Sequence, residues 1–121
     1  MLVDFENSGD ICTLRLHGRF ATGQDTSYLR SRAEDLKALG AKKVLADFSD
    51  VSYIDSTGIG FLIGIYISVC KSPEGHFVLA NPNHRVRGVL QLTRLATVIP
   101  IYGDEESARK ALEEGKKAAT R

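Results

Sequence analysis

The sequence predicts a single α/β domain with a mixed, mostly parallel sheet of about five strands and about four helices. Two observations lead to this fold class. Short apolar runs typical of strands alternate with longer segments whose apolar residues recur at helical spacing. After an initial hairpin the alternation of strand and helix is strict, and that order requires parallel crossover connections. The chain of 121 residues has the length of one domain, which we assign to residues 1–121.

The chain begins with a predicted β-hairpin. Residues 2–5 and 11–18 are predicted strands, and residues 7–10 form the turn between them. Apolar and polar side chains alternate in the second strand, so we expect only one of its sides to be buried. Residues 24–40 follow with leucine and alanine at helical spacing and a final glycine, which together predict a helix.

The alternation continues through the rest of the chain. Residues 42–48 are apolar at their centre, as in a strand covered on both faces. A loop and a long apolar helix starting near Thr57 come next. The remaining predicted elements are strands at 75–81 and 97–102 and helices at 83–95 and 104–117. Asn83 and Asp104 are the predicted N-caps of the two helices. Pro100 indicates that the last strand lies at an edge of the sheet or ends early.

The composition excludes several classes of function. A net charge of +1 gives no support to nucleic-acid or membrane-surface binding, which needs a basic patch. No apolar run reaches the ~18–20 residues of a membrane span, and the first residues lack the features of a secretory signal, so we expect a cytoplasmic protein. The two cysteines and three histidines are scattered without metal-ligand spacing, and we predict neither a metal site nor a cofactor.

The most informative segment is VSYIDSTGIGFLIGIYISVC, residues 51–70. It places Asp-Ser-Thr-Gly before an apolar helix that contains glycines, although a helical glycine costs ~1 kcal/mol relative to alanine. Either the glycines let the helix pack closely against the sheet or a neighbouring helix, or they leave a flat surface on which a partner docks. We expect the broad apolar side of this helix to be buried against the sheet. The opposite stripe consists of Thr57, Gly60, Gly64, Ser68 and Lys71.

Ser56 has two interpretations. A serine before a helix is usually its N-cap. Alternatively, its hydroxyl is a phosphoacceptor, because the free N–H groups and the positive dipole end of a helix N-terminus favour a phosphate. Phosphorylation adds about −1.5 to −2 charges, and with Asp55 beside it the site would become strongly anionic. Such a change alters a docking surface without altering the fold.

Catalytic functions are poorly supported. The stretch GIGFLIG lacks the dinucleotide-binding pattern, and the chain contains no Gly-Lys-Ser/Thr phosphate loop. A receiver domain phosphorylated on Asp47 or Asp50 would need paired acids after its first strand and a lysine after its last, and neither is present. Ser56 has no histidine near it in the sequence to act as a base. We therefore predict a binding protein rather than an enzyme.

The stretch VLADFSDVSYIDSTGIGFLIG resembles the signature of STAS domains, particularly the anti-sigma factor antagonists of bacterial partner-switching systems. The order of elements is similar over nearly the whole chain. The resemblance implies that Ser56 is phosphorylated by a partner serine kinase of the histidine-kinase-like ATPase fold and dephosphorylated by a metal-dependent serine phosphatase. It also implies that the unphosphorylated form binds this kinase or anti-sigma factor and that phosphorylation releases it.

The same resemblance implies a docking surface. We expect the partner to cover the motif, the small-residue stripe and the loop around residues 20–25. The expected partner-binding residues are Asp25, Asp55, Ser56, Thr57, Gly58, Gly60, Gly64 and Ser68.

Two positions depart from the family pattern, and both bear on the choice of partner. Ala21 stands where many members have an aspartate, and Arg94 stands where many have a glycine. The alternative function is a non-switching STAS scaffold, or a subunit of a regulatory or transporter complex, in which Ser56 is only a helix cap.

Overall fold

The computed structural model describes residues 2–21 and 26–115. Strands and helices occur in the predicted order, and the α/β fold class is confirmed. The elements are β1 (Leu2–Ser8), β2 (Ile11–Phe20), α1 (Thr26–Leu39), β3 (Lys43–Ile54), α2 (Ser56–Cys70), β4 (His76–Ala80), α3 (His84–Leu92), a 3₁₀ turn (Leu95–Thr97), β5 (Ile101–Tyr102) and α4 (Glu105–Glu113).

The five strands form one mixed sheet in the order β1-β2-β3-β4-β5. β1 and β2 are an antiparallel hairpin whose turn contains Gly9, with a φ of +62° that glycine adopts without strain. The other neighbouring strands are parallel, as predicted. β5 lies at the edge of the sheet, where the missing N–H of Pro100 breaks no ladder of hydrogen bonds.

Three helices cover one face of the sheet and α4 covers the other. The larger core lies under α1, α2 and α3, which contribute Leu36, Leu62 and Leu90. In the smaller core, Leu45 of β3 packs with Leu112 of α4. Successive residues of β3 belong to opposite cores, which explains why the centre of this strand is continuously apolar.

β2 and β3 differ from the predictions in burial and length. β3 continues beyond its predicted end because Val51 and Ile54 are buried in the larger core and Ile54 pairs with Phe20 of β2. The prediction that β2 buries one side only is wrong. On its second side Thr13 is buried, because α4 covers it, and Arg109 of α4 donates a hydrogen bond to the Thr13 hydroxyl.

The segment between α3 and β5 also differs from the predictions. α3 ends at Leu92 instead of continuing to residue 95, because Arg94 has a left-handed backbone with a φ of +65°. The Thr93 hydroxyl donates to the Val89 carbonyl in the last turn of the helix. A 3₁₀ turn then occupies the start of the predicted strand, and β5 retains two residues.

The predicted ends of the other helices are supported by their caps. The Asn83 side chain accepts from the Val86 N–H at 2.8 Å, and the Asp104 side chain accepts from the Ser107 N–H at 2.7 Å. α1 ends before Gly40, whose φ is +66°. The predicted final turn of α4 lies partly outside the described residues.

Candidate docking surface around Ser56

A single residue, Asp55, connects β3 to α2. Its carboxylate accepts a hydrogen bond from the Thr57 N–H at 2.9 Å, which makes Asp55 the N-cap of α2. Its own N–H donates to the Phe20 carbonyl at 3.0 Å, and its carbonyl accepts from the Ile59 N–H at 2.9 Å. These bonds fix the start of α2 against the end of β2.

Ser56 is the first residue of α2 and not its N-cap. The interpretation of Ser56 as a helix cap is therefore wrong, because Asp55 fills that role. Ser56 is exposed, and its hydroxyl forms no hydrogen bond with any other residue that the structure describes. The hydroxyl is accessible to a modifying enzyme, and the N–H groups of the first helical turn lie next to it.

Ser56 lies on a ridge between two grooves. The groove between α1 and α2 has a volume of about 370 Å³ and includes Ala33 of α1. The groove between α2 and α3, which we call the α2–α3 groove, has a volume of about 430 Å³ and includes Val89 of α3. Ser56 and Gly60 line both grooves. A partner resting on this ridge would therefore contact Ser56 whichever groove it entered.

The glycines of α2 have two different roles. Gly60 and Gly64 are exposed, and a β-carbon added to either would meet no atom within 4 Å. Gly58 is buried, and its added β-carbon would lie 2.4 Å from Ile54 Cγ1 and 2.9 Å from the Phe20 carbonyl oxygen. Close packing therefore explains Gly58, whereas Gly60 and Gly64 leave an open, flat surface. Gly58 shapes the site from below and does not itself reach the surface.

The rest of α2 departs from the expected division into a small-residue stripe and a buried apolar side. Ser68 is half-buried and lines a separate cavity of about 270 Å³ together with Lys71, at the far end of the helix. Ile63 and Ile67, which we expected to be buried, are 40% and 60% exposed because only one side of the helix rests on the sheet. Ile63 lines the α2–α3 groove with Gly60, so the surface near Ser56 is apolar as well as flat.

Two arginines flank an aromatic ring at the α2–α3 groove. Tyr53, the last residue but one of β3, lines the groove beside Asp55. The Arg19 guanidinium carbon lies 4.8 Å from the centroid of the Tyr53 ring, and that of Arg85 lies 5.3 Å from it. No sequence motif indicates this cluster, because its members come from β2, β3 and α3.

The opposite face of the sheet carries an ion-pair network. Asp47 is 6% exposed and accepts hydrogen bonds from Asn81 at 3.1 Å, Ser49 at 3.0 Å and Arg15 at 2.9 Å. Burial alone would raise the pKa of Asp47, but these hydrogen bonds outweigh it and hold the pKa below its ordinary value. Arg15 also pairs with Glu105 of α4, and this pairing lowers the pKa of Glu105. Because Asp47 is enclosed in this network, it is poorly placed to be a receiver-type phosphoacceptor.

Metal-ligand side chains are dispersed over the structure. Within residues 2–21 and 26–115, no three His, Cys, Asp or Glu side chains lie close enough together to hold a metal ion.

In the same part of the chain, no helix has the length and apolar character needed to cross a membrane. Neither Cys12 nor Cys70 forms a disulfide bond.

Comparison with known proteins identifies the family. Residues 3–108 match the family model of the STAS domain. The chain belongs to the STAS domain family. A relative from Thermotoga neapolitana is 41% identical to this chain over 75 residues. It is a TM1081 homolog, and its name assigns it provisionally to the anti-sigma factor antagonists. Those residues are 62% of this chain and 63% of the relative, so the match spans less than two thirds of the relative's length.

Solved structures share the STAS fold over most of the chain. One is the crystal structure of TM1081 from Thermotoga maritima, which is provisionally named an anti-sigma factor antagonist. It superposes with a TM-score of 0.83 at 25% sequence identity, and the match covers 92% of this chain and 94% of TM1081. The anti-sigma factor antagonist SpoIIAA in its unphosphorylated form has a TM-score of 0.77 and 20% identity, covering 93% and 97%. SpoIIAA from Bacillus has also been solved in the phosphorylated form, with a TM-score of 0.66 and 21% identity, covering 91% and 99%.

The structure gives a physical context to the two departures from the STAS pattern. Ala21, after the end of β2, is fully buried and presents no side chain to a partner. Arg94 has the left-handed backbone that glycine adopts without strain, which accounts for the glycine of the pattern at this position. Asp25, which we expected to contribute to the docking surface, lies outside the described residues.

Proposed function

We propose that this protein is a phosphorylation-controlled anti-sigma factor antagonist that acts in the bacterial cytoplasm by binding and not by catalysis. In its unphosphorylated form it binds an anti-sigma factor that is also a serine kinase of the histidine-kinase-like ATPase fold. Phosphorylation of Ser56 releases the partner, and a serine phosphatase restores binding. Membership of the STAS family and the anti-sigma factor antagonist names of its relatives support this role.

The observation that carries the proposal is the exposed Ser56 hydroxyl at the first turn of α2. Because Asp55 supplies the N-cap, a phosphate can be added to Ser56 without breaking a hydrogen bond of the described fold. The open surface at Gly60 and Gly64 lets a partner approach the hydroxyl without obstruction by side chains. That SpoIIAA has been solved both with and without phosphate supports a switch that operates within one STAS fold.

Release follows from the charge of the phosphate. The modification adds about −1.5 to −2 charges in the middle of the proposed surface, next to the carboxylate of Asp55. A docked partner would bury this charge, and an unpaired buried charge costs several kcal/mol. Because about 1.4 kcal/mol weakens affinity tenfold, the phosphate is sufficient to release the partner without any rearrangement of the fold.

The test is phosphopeptide mass spectrometry of the protein isolated from its own host, covering residues 51–71. We expect one phosphate on Ser56, absent from a Ser56→Ala strain and retained in a Thr57→Val strain, which removes the neighbouring hydroxyl as a matched control. A phosphate on Thr57 would reassign the acceptor. An unmodified Ser56 under both growth and stress would favour the alternative, a constitutive scaffold or a subunit of a regulatory or transporter complex.

A further inference from the structure

We propose that the α2–α3 groove binds an acidic, amphipathic helical segment of the partner, whose carboxylates pair with Arg19 and Arg85 and whose apolar side enters the groove. The inference rests on the proposed function, because it defines the chemistry of the partner that Ser56 controls. The surface consists of the groove and the adjoining ring of Tyr53 with its two arginines.

Arg19 and Arg85 are exposed, and both rest on the Tyr53 ring. Neither forms an ion pair with a carboxylate anywhere in residues 2–21 or 26–115. A cation–π contact with Tyr53 uses the charge of each guanidinium but none of its N–H donors, which remain available for a carboxylate. Because the ring already restricts both side chains, Arg19 and Arg85 lose less conformational freedom when a ligand binds.

The charge around the groove is positive although the whole chain is almost neutral. Asp55 is the single acid among the residues that line the groove, its carboxylate accepts the Thr57 N–H, and α2 contains no charged residue. Beside it, Arg19 and Arg85 place two positive charges at the Tyr53 ring, which exceed the charge of this one carboxylate. Since the acids of the Asp47 network lie on the other face of the sheet, the charge complementary to this face is negative.

The groove supplies the apolar half of the contact. Its walls include Ile59 and Ile63 of α2 and Val89 of α3, and Gly60 opens it to solvent. An apolar groove between two helices, bordered by charge, suits an amphipathic helix that places its apolar side inward. Ser56 lines the same groove, so a phosphate there would repel the incoming carboxylates and compete with them for the arginines.

The test uses two synthetic amphipathic helical peptides of equal length and with the same leucine face, one carrying glutamate and the other lysine at its polar positions. Each is titrated into the ¹⁵N-labelled, unphosphorylated protein and followed by NMR. We expect the glutamate peptide to shift the amides of Tyr53, Gly60 and Val89 and to bind about tenfold more tightly than the lysine peptide, a difference of about 1.4 kcal/mol.

Charge-reversed variants locate the binding energy. The double variant Arg19→Glu/Arg85→Glu should weaken binding of the glutamate peptide about tenfold or more and favour the lysine peptide. Arg87→Glu reverses a single charge on α3, outside the contacts of the Tyr53 ring, and should leave the affinity within about twofold, whereas the matched single variant Arg85→Glu should weaken it several-fold. Circular dichroism establishes that each variant is folded.

Three results would overturn the inference: equal binding of the two peptides, saturable shifts outside the groove, or no saturable shift with the glutamate peptide. The titration needs neither kinase nor phosphate, so its outcome is independent of whether Ser56 is modified in the host. A phosphorylated Ser56 with no glutamate-peptide binding would refute this inference alone. Groove binding with an unmodified Ser56 would refute the phosphorylation switch alone.

Discussion

Replacing Gly60 with alanine should stabilise the fold and weaken docking. Gly60 lies inside α2, is exposed, and would place an added β-carbon in open space. Alanine is favoured over glycine in a helix interior by ~0.8–1 kcal/mol. We therefore expect the free energy of unfolding to rise by about 1 kcal/mol, which corresponds to about 4 °C in Tm for a domain of this size.

The same substitution two residues earlier should have the opposite effect. In Gly58→Ala the methyl group would lie 2.4 Å from Ile54 Cγ1 and 2.9 Å from the Phe20 carbonyl oxygen. Overpacking of a buried site costs ~1–3 kcal/mol, which exceeds the gain in helix propensity at most such sites. The Phe20 carbonyl also accepts a hydrogen bond from Asp55, so its displacement would disturb the start of α2.

Urea unfolding of the wild type, Gly60→Ala and Gly58→Ala, followed by circular dichroism, measures both effects under one set of conditions. Partner affinity, measured by calorimetry, should fall in Gly60→Ala despite its greater stability, because the methyl group projects into the docking surface. A Gly60→Ala variant that is as unstable as Gly58→Ala would refute the assignment of Gly60 to an open surface. Unchanged affinity would remove Gly60 from the interface.

Three further predictions concern stability and are measured by urea unfolding. Asp55→Ala should lose about 1 kcal/mol with the N-cap, whereas Asp55→Asn, which keeps an acceptor, should stay near the wild type; equal losses would contradict the cap. Arg94→Gly should raise the free energy of unfolding by about 1 kcal/mol, because glycine adopts the left-handed backbone without strain. A lower free energy of unfolding would show that Arg94 is not strained. The pKa of Asp47 is lower in the folded than in the unfolded protein, so the ionised carboxylate adds to the free energy of unfolding. This stabilisation is present above about pH 4 and is lost as the pH falls through the pKa of Asp47 in the folded protein. Asp47→Asn should therefore lose less stability on acidification than the wild type, and an equally steep loss would contradict the network.

The class and order of the elements could be predicted because each depends on the periodicity of its own residues. The lengths of two strands could not, because they depend on contacts between distant segments. β3 is longer than predicted because Ile54 pairs with Phe20. β5 is shorter because Arg94 takes a left-handed backbone and a 3₁₀ turn follows.

The candidate site was only partly predictable for similar reasons. Asp-Ser-Thr-Gly is contiguous, so the motif around Ser56 is visible in the sequence. Asp and Ser are both good N-cap residues, so the sequence does not decide between Asp55 and Ser56. The backbone decides, because α2 begins at Ser56 and leaves Asp55 in the cap position. Gly58 and Gly60 look alike in the sequence. They differ because Gly58 lies on the side of α2 that packs against Ile54 of β3, whereas Gly60 lies on the open side. The Tyr53 cluster brings together residues from three elements and has no local pattern.

The most direct test of the proposed switch is the affinity for a purified anti-sigma factor kinase of the histidine-kinase-like ATPase fold from the same organism. Calorimetry would compare the unphosphorylated protein with the Ser56-phosphorylated protein, alongside Ser56→Asp and, as a charge-matched control, Ser68→Asp at the far end of α2. We expect the phosphorylated protein to bind about 100-fold more weakly, with Ser56→Asp weakened in the same direction and Ser68→Asp unchanged. Equal affinity of the phosphorylated and unphosphorylated proteins would contradict the switch.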